Sequence, residues 1–218
     1  MLDIHTVLEY FPLLLKGAAK TIVVSLSALV VSTILGLVVG LARATRLPGL
    51  YSLTVAYVEI LRSLPTLVLL FLIFYAIPAV MGFNLQAFPA AVLALGVSGS
   101  APMAEVVRGG IEAVSAGQWE AAHSLGMRYT TILRYVALPQ ALRISLPPAI
   151  SLYVAMIKDS SLILIVGVVE LTNTGMQIRG LSRGRGTLLV FTVMAAMYFV
   201  ICYTIAYAGS RLERRIQV

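Results

Sequence analysis

An all-α integral membrane protein with about five transmembrane helices is the fold class this 218-residue chain predicts, and three observations predict it. Hydrophobic residues make up 60% of the chain and charged residues 11%, where a soluble domain carries about 25% charged. The first long apolar stretch, residues 21–42, holds no charge at all; at about 1.5 Å per residue it crosses a hydrocarbon core of about 30 Å. Arginines gather at the ends of such stretches, which orients helices in a bilayer and accounts for the net charge of +7 without nucleic acid. The length suits one membrane domain over 1–218.

The composition also excludes chemistry. No G-x-x-x-x-G-K-[ST] occurs, so any ATP must be hydrolysed by a partner. His5 and His123 are isolated, Cys202 is the single cysteine, and no cluster has metal-ligand spacing. Glu59, Glu105 and Asp159 are read as the acids near spans, with no histidine or cysteine beside them to complete a catalytic set.

In chain order, the first twenty residues lack the basic start and long apolar run of a cleaved leader. An amphipathic segment lying on the outer membrane surface is expected instead. The span 21–42 carries Ala28, Ser32, Gly36 and Gly40 as one small-residue ridge, suited to close packing against this chain's own helices or a second chain. Arg43 and Arg46 mark its inner end. A second span is expected at 52–79. In it Glu59 and Arg62 stand three apart on one helix face, and Pro65 kinks the helix or starts a new one. No Lys or Arg lies between Arg62 and Arg108, so the turn around Gly82, Asn84 and Pro89 is external.

The third span, 85–107, contains Pro102, which frees backbone carbonyls that need satisfying internally or by cavity water. Ser98 and Ser100 line a polar path or hydrogen-bond between helices, and Glu105 and Arg108 bring the chain to the cytoplasm. Fourteen uncharged residues separate Arg143 from Lys158, too few for a full span. The fourth span, 144–166, therefore carries Lys158, Asp159, Ser160 and Ser161 within the membrane region. An ionisable residue there costs about 2.5–3.5 kcal/mol on insertion scales, so function is its default explanation; a Lys158–Asp159 pair that only stabilises the fold is the alternative. Residues 172–186 form a basic external loop with Arg179, Arg183 and Arg185, either solvated or meeting acidic groups on a soluble protein. The last span, 187–210, ends at Arg211, Arg214 and Arg215. Together these give five spans, with the N-terminus outside and the C-terminus in the cytoplasm.

Between the third and fourth spans lies a polar island, about 109–142. Glu120, Ala121 and Ala122 are good helix formers, Gly126 takes a positive φ easily, and Pro139 cannot continue a helix interior. Two short helices hinged at Gly126 are expected, and an ordinary surface hairpin would look the same. The spacing is more specific. Glu120-Ala121-Ala122, a glycine four residues later (Gly126), and Leu138-Pro139 twelve and thirteen after that glycine resemble the EAA loop of bacterial ATP-binding-cassette (ABC) importer permeases. Val136 stands where that pattern usually has Ile. Glu59-x-x-Arg62-Ser63-Leu64-Pro65 and Lys158-Asp159-Ser160-Ser161-Leu162 are similar to two segments of the polar-amino-acid permeases.

The resemblance implies a type I importer permease fold in the bacterial cytoplasmic (inner) membrane, importing a polar or basic amino acid or an opine-like derivative. In that family the EAA loop is a coupling helix that docks on the ATPase. Glu120, Ala121, Ala122, Gly126, Leu138 and Pro139 inherit this role. Asp159, Ser160, Ser100, Ser98 and Glu105 are the candidates for the substrate path. Two ATPase subunits, a second permease chain (identical or homologous) and an external or periplasmic substrate-binding protein are the implied partners. ATP and Mg belong to the ATPase, and this chain binds no cofactor. An ion-gradient-driven carrier is the alternative, with Asp159 and Glu105 as ion sites. It lacks the interrupted helices in matched halves that such carriers often show.

Overall fold

The computed structural model describes residues 4–44 and 47–216, and these are helical with short connections. Helix α1 (Ile4–Ala44) is followed by α2 (Pro48–Ser63), α3 (Thr66–Phe71), α4 (Ile77–Met81), α5 (Ala87–Glu112), α6 (Ala116–Ser124), α7 (Tyr129–Ile132), α8 (Leu138–Asp159), α9 (Leu171–Leu181) and α10 (Thr187–Ile216). Arg46, expected to mark the inner end of the first span, lies outside the described residues.

Among the described residues, four helical stretches are long and apolar enough to span a membrane: Val7–Ala44, Ala87–Glu112, Tyr129–Val166 and Thr187–Arg215. The expected second span, 52–79, is not one straight helix. The chain bends by 102° between Pro48–Ser63 and Thr66–Met81, and counting this broken pair brings the spans to five. The cause is local: Leu64 is extended (φ −94°, ψ 132°) because the Pro65 ring disfavours helical backbone in the residue before it. Glu59 and Arg62, expected to pair, form no ion pair among the described residues.

The outer-surface segment expected over the first twenty residues is instead the first half of α1, which runs through Pro12 without a break. At 41 residues this helix is about 60 Å long, twice the hydrocarbon thickness. Its N-terminal half packs against α9 and α10, where Val7, Leu14 and Ala18 meet Leu171, Ile178 and Val190.

The centre of the molecule is the α1–α5 seam. A Cβ on Gly36 would lie 2.4 Å from Met103 Cγ, one on Gly40 2.7 Å from Val107 Cβ, and one on Gly96 2.6 Å from Val31 Cγ1. The small-residue ridge is therefore spent inside the chain. Small side chains let the two backbones approach, and dispersion contacts hold them where lipid removes any hydrophobic drive between helices. On the opposite face of α1, Val23, Leu26, Val30, Ile34 and Val38 are exposed, an apolar stripe suited to lipid or another apolar surface.

Two π-helical turns, Leu72–Ala76 and Leu133–Ala137, sit immediately before Ile77-Pro78 and Leu138-Pro139. Each proline lacks an N–H for the carbonyl four residues back (Phe74, Tyr135) and crowds it, and widening the turn relieves the clash.

Candidate functional site

At the end of α5 the chain leaves the bundle and builds the stretch predicted to couple. Helix α6 has nine residues and stops where Gly126 adopts φ 76°, a left-handed conformation natural to glycine. The Gly126 N–H donates to His123 O (2.9 Å) and the Met127 N–H to Ala122 O (3.2 Å), closing the helix end. Ala122 is buried, and Trp119 packs α6 against Val107, Ile111, Ala137 and Ala141, while Glu120, Ala121 and Gly126 stay exposed. Leu125, at the tip, is 81% exposed, an apolar residue that sequence reasoning missed because its neighbours gave no periodic pattern. Beyond the hinge, the Trp119 and Tyr129 rings stack with centroids 5.5 Å apart, and the Tyr129 hydroxyl donates to Ala44 O at 2.6 Å. The α6–α7 hairpin is thus latched to the end of α1. Helix α5 runs on to Glu112 and α8 begins at Leu138, so both helices reach into the polar stretch 109–142. Leu138 is half-buried and Pro139 exposed at that start.

Farther along the bundle, a cavity of about 300 Å³ opens between the α2–α3 bend, α5 and α8. Arg62 and Thr66 contribute from the bend, Ser98 and Pro102 from α5, and Leu152, Met156 and Asp159 from α8. Pro102 cannot donate to Ser98 O, so the helix offers a carbonyl without its usual partner on the wall where the Ser98 side chain also stands. Ser98 and Thr66 hydroxyls are 2.9 Å apart and link α5 to α3. Asp159 is exposed at the end of α8 and forms no ion pair with Lys158. Two ends of opposite charge, Arg62 and Asp159, therefore share one cavity with two hydroxyls.

The other candidates go elsewhere. Ser100 is fully buried and hydrogen-bonds Tyr57 Oη (2.6 Å) and Val97 O (2.6 Å), so it ties α5 to α2. Ser160 is buried and donates to Ile157 O at 2.7 Å. Glu105 pairs with Arg43 and, at 2.8 Å, with Arg108, which also pairs with Glu112. This network lies outside the cavity, and Glu105 is held by α1 and its own helix.

Glu170 is an acid near a span that the hydropathy pattern of the sequence does not single out. It is fully buried, and its carboxylate accepts from four donors. Oε2 receives Thr21 Oγ1 (3.3 Å), the Thr172 N–H (2.9 Å) and Tyr198 Oη (2.7 Å); Oε1 receives the Asn173 N–H (2.7 Å). It caps the start of α9, which is why most of the expected basic loop 172–186 is helix instead. The turn proper is confined to 182–186, where Arg183 takes φ 52° beside Gly184 and Gly186. The signal was present in the sequence, an acid two residues before Thr172-Asn173 and three after Gly167, a helix-start pattern.

A bundle of apolar spans, a polar cavity within it and a latched hairpin at one end define a membrane permease subunit. The chain belongs to the family of binding-protein-dependent transport system inner membrane components, whose pattern matches residues 32–218. Among its relatives, the L-cystine transport system permease protein TcyB of Bacillus subtilis (strain 168) is 35% identical over 209 residues, covering 95% of this chain and 88% of that one. The glutamine transport system permease protein GlnP of Escherichia coli (strain K12) is 33% identical, covering 95% and 94%. The crystal structure of an amino acid ABC transporter with histidines superposes with a TM-score of 0.92 at 32% identity, covering 99% of both chains. The chain is a membrane-bound transport component rather than an enzyme, and the family works with an ATPase and a binding protein. Its relatives favour that mode of transport over an ion-gradient carrier.

Proposed function

We propose that this chain is the permease of an ABC importer for a polar or basic α-amino acid or an opine-like derivative, with Arg62 and Asp159 recognising the two charged ends of the cargo. The observation that carries the reading is the placement of these two residues on one cavity with the Ser98 and Thr66 hydroxyls. A guanidinium suits a carboxylate and a carboxylate suits an ammonium, each through charge-assisted hydrogen bonds. The relatives' cargoes, glutamine and cystine, share that α-amino acid end.

Two such chains, identical or homologous, pair with two ATPases, and an external binding protein delivers the cargo. Closure of the ATPases on ATP draws the two coupling hairpins together and turns the cavity outward; hydrolysis resets it. Glu120, Ala121 and Gly126 form the docking face, Ala122 packs inward beneath it, and Leu138-Pro139 anchors its return into α8. The N-terminus is outside and the C-terminus in the cytoplasm of a bacterial inner membrane. ATP and the loaded binding protein must each favour the outward state, because a ligand shifts an equilibrium only by its differential affinity.

Asp159→Asn tests the cavity. It removes one charge-assisted hydrogen bond, so the apparent affinity for uptake should fall about tenfold or more, with assembly intact. Unchanged affinity and unchanged substrate preference would remove Asp159 from the site. Vanadate should stop uptake into proteoliposomes; uptake that persists on an ion gradient alone would refute the ATP-driven mode.

A further inference from the structure

A larger pocket, about 790 Å³, lies between the coupling hairpin and the ends of α1, α2 and α5, and of its charged lining the transport reading uses only Glu120. Among the described residues its charged lining is balanced: Arg43 and Arg108 against Glu112 and Glu120. Two of these groups have capacity to spare. Arg43 spends one terminal nitrogen on Glu105, but its Nε is buried without a hydrogen-bond partner among the described residues. A buried N–H without an acceptor is unfavourable, and an oxyanion placed against it would relieve this. Glu120 forms no ion pair among the described residues, and Trp119, stacked on Tyr129, offers an aromatic surface beside it. A carboxylate with an aromatic face suits an ammonium.

We propose that this pocket is a regulatory site for a free α-amino acid on the cytoplasmic side, its carboxylate toward Arg43 and Arg108 and its ammonium toward Glu112, Glu120 and Trp119. A purely anionic ligand would meet two carboxylates, and a purely cationic one two guanidiniums; a zwitterion satisfies both. The volume is in the range of small-molecule sites. The walls come from both the fixed bundle (Arg43, Arg108) and the coupling hairpin (Trp119, Glu120). An occupant therefore bridges the two and favours the latched arrangement described here over any in which the hairpin moves away. Accumulated product thereby lowers ATP turnover. The inference rests on the amino acid reading above, since it makes the cargo its own regulator.

The test uses the assembled transporter with its ATPases in nanodiscs free of phosphatidylethanolamine, because that headgroup also joins an oxyanion to an ammonium. Glutamine is the inhibitor and photo-leucine, a diazirine amino acid, the label. Added glutamine should lower ATPase activity, and photo-leucine should label peptides holding Tyr51 or residues 108–129, in competition with glutamine. Glu112→Gln, which touches neither the cavity nor the docking face, should leave uptake intact and raise the half-inhibiting concentration about tenfold. Labelling confined to peptides 62–66, 95–102 or 152–159 would overturn the site, as would inhibition unchanged in Glu112→Gln. Labelling by a photoreactive phosphatidylethanolamine that glutamine does not displace would assign the pocket to lipid. Uptake in matched proteoliposomes separates the two readings: amino acid transport with an unlabelled pocket refutes this site alone, and no amino acid transport refutes the function proposed above.

Discussion

Glu170 allows its contribution to be worked out atom by atom. Three donors converge on Oε2 and one on Oε1, so Glu170→Gln has one tolerable orientation. With the amide oxygen at Oε2, three bonds survive and the NH2 group opposes the Asn173 N–H. One lost bond to a charged acceptor with a donor left unpaired costs about 2 kcal/mol. Glu170→Ala removes the α9 cap and all four acceptances. Tyr198 Oη keeps a partner in Thr172 Oγ1 at 2.9 Å, which limits the loss to about 4 kcal/mol, the range for breaking a buried charged network. For a chain of this length each kcal/mol lowers the unfolding midpoint by about 2–4 °C. The expected shifts are about 4–8 °C for Gln and about 8–16 °C for Ala. The chain carries its own probe: Cys202 is the single cysteine and is buried, so a thiol-reactive fluorogenic dye in detergent reports unfolding directly. Equal destabilisation by the two variants, or none by either, would refute the four-donor account.

The same assay tests the α1–α5 seam. Gly36→Ala places a Cβ 2.4 Å from Met103 Cγ and 3.1 Å from Ser100 O, so it should cost about 1–3 kcal/mol by overpacking. Gly109→Ala, with nothing within 4 Å of the new Cβ in the same helix α5, should be neutral or stabilise by about 0.5–1 kcal/mol; a reversed order would disprove the packing description. At the hinge, Gly126 has φ 76° while proline is locked near −65°. Gly126→Pro should therefore lose the co-purifying ATPase in a pull-down from native membranes, with the Cys202 unfolding curve showing that the chain remains folded. Retention of the ATPase at wild-type yield would show that the hairpin geometry is not what docks.

What the sequence determined by itself was whatever short-range chemistry decides. Apolar runs and arginine clusters specify a helical membrane protein, because in lipid the backbone must satisfy itself within each span. The Gly126 hinge follows from glycine's access to positive φ, and the break at Leu64-Pro65 from the clash a proline imposes on its predecessor. The tertiary structure decided what depends on which faces meet. It assigned the Gly36–Gly40 ridge to α5, a choice that the spacing left open between this chain and a second one. It separated Ser98, which lines the cavity, from Ser100, two residues on and turned about 200° around the helix into the α2 contact. It brought Arg62 to the same cavity as Asp159 across 97 positions of sequence (159 − 62). It also closed Thr21, Glu170 and Tyr198 into one buried cluster. A carboxylate's partners are chosen in space, and nothing in the residues around Glu170 announces a hydroxyl on the first helix or the last.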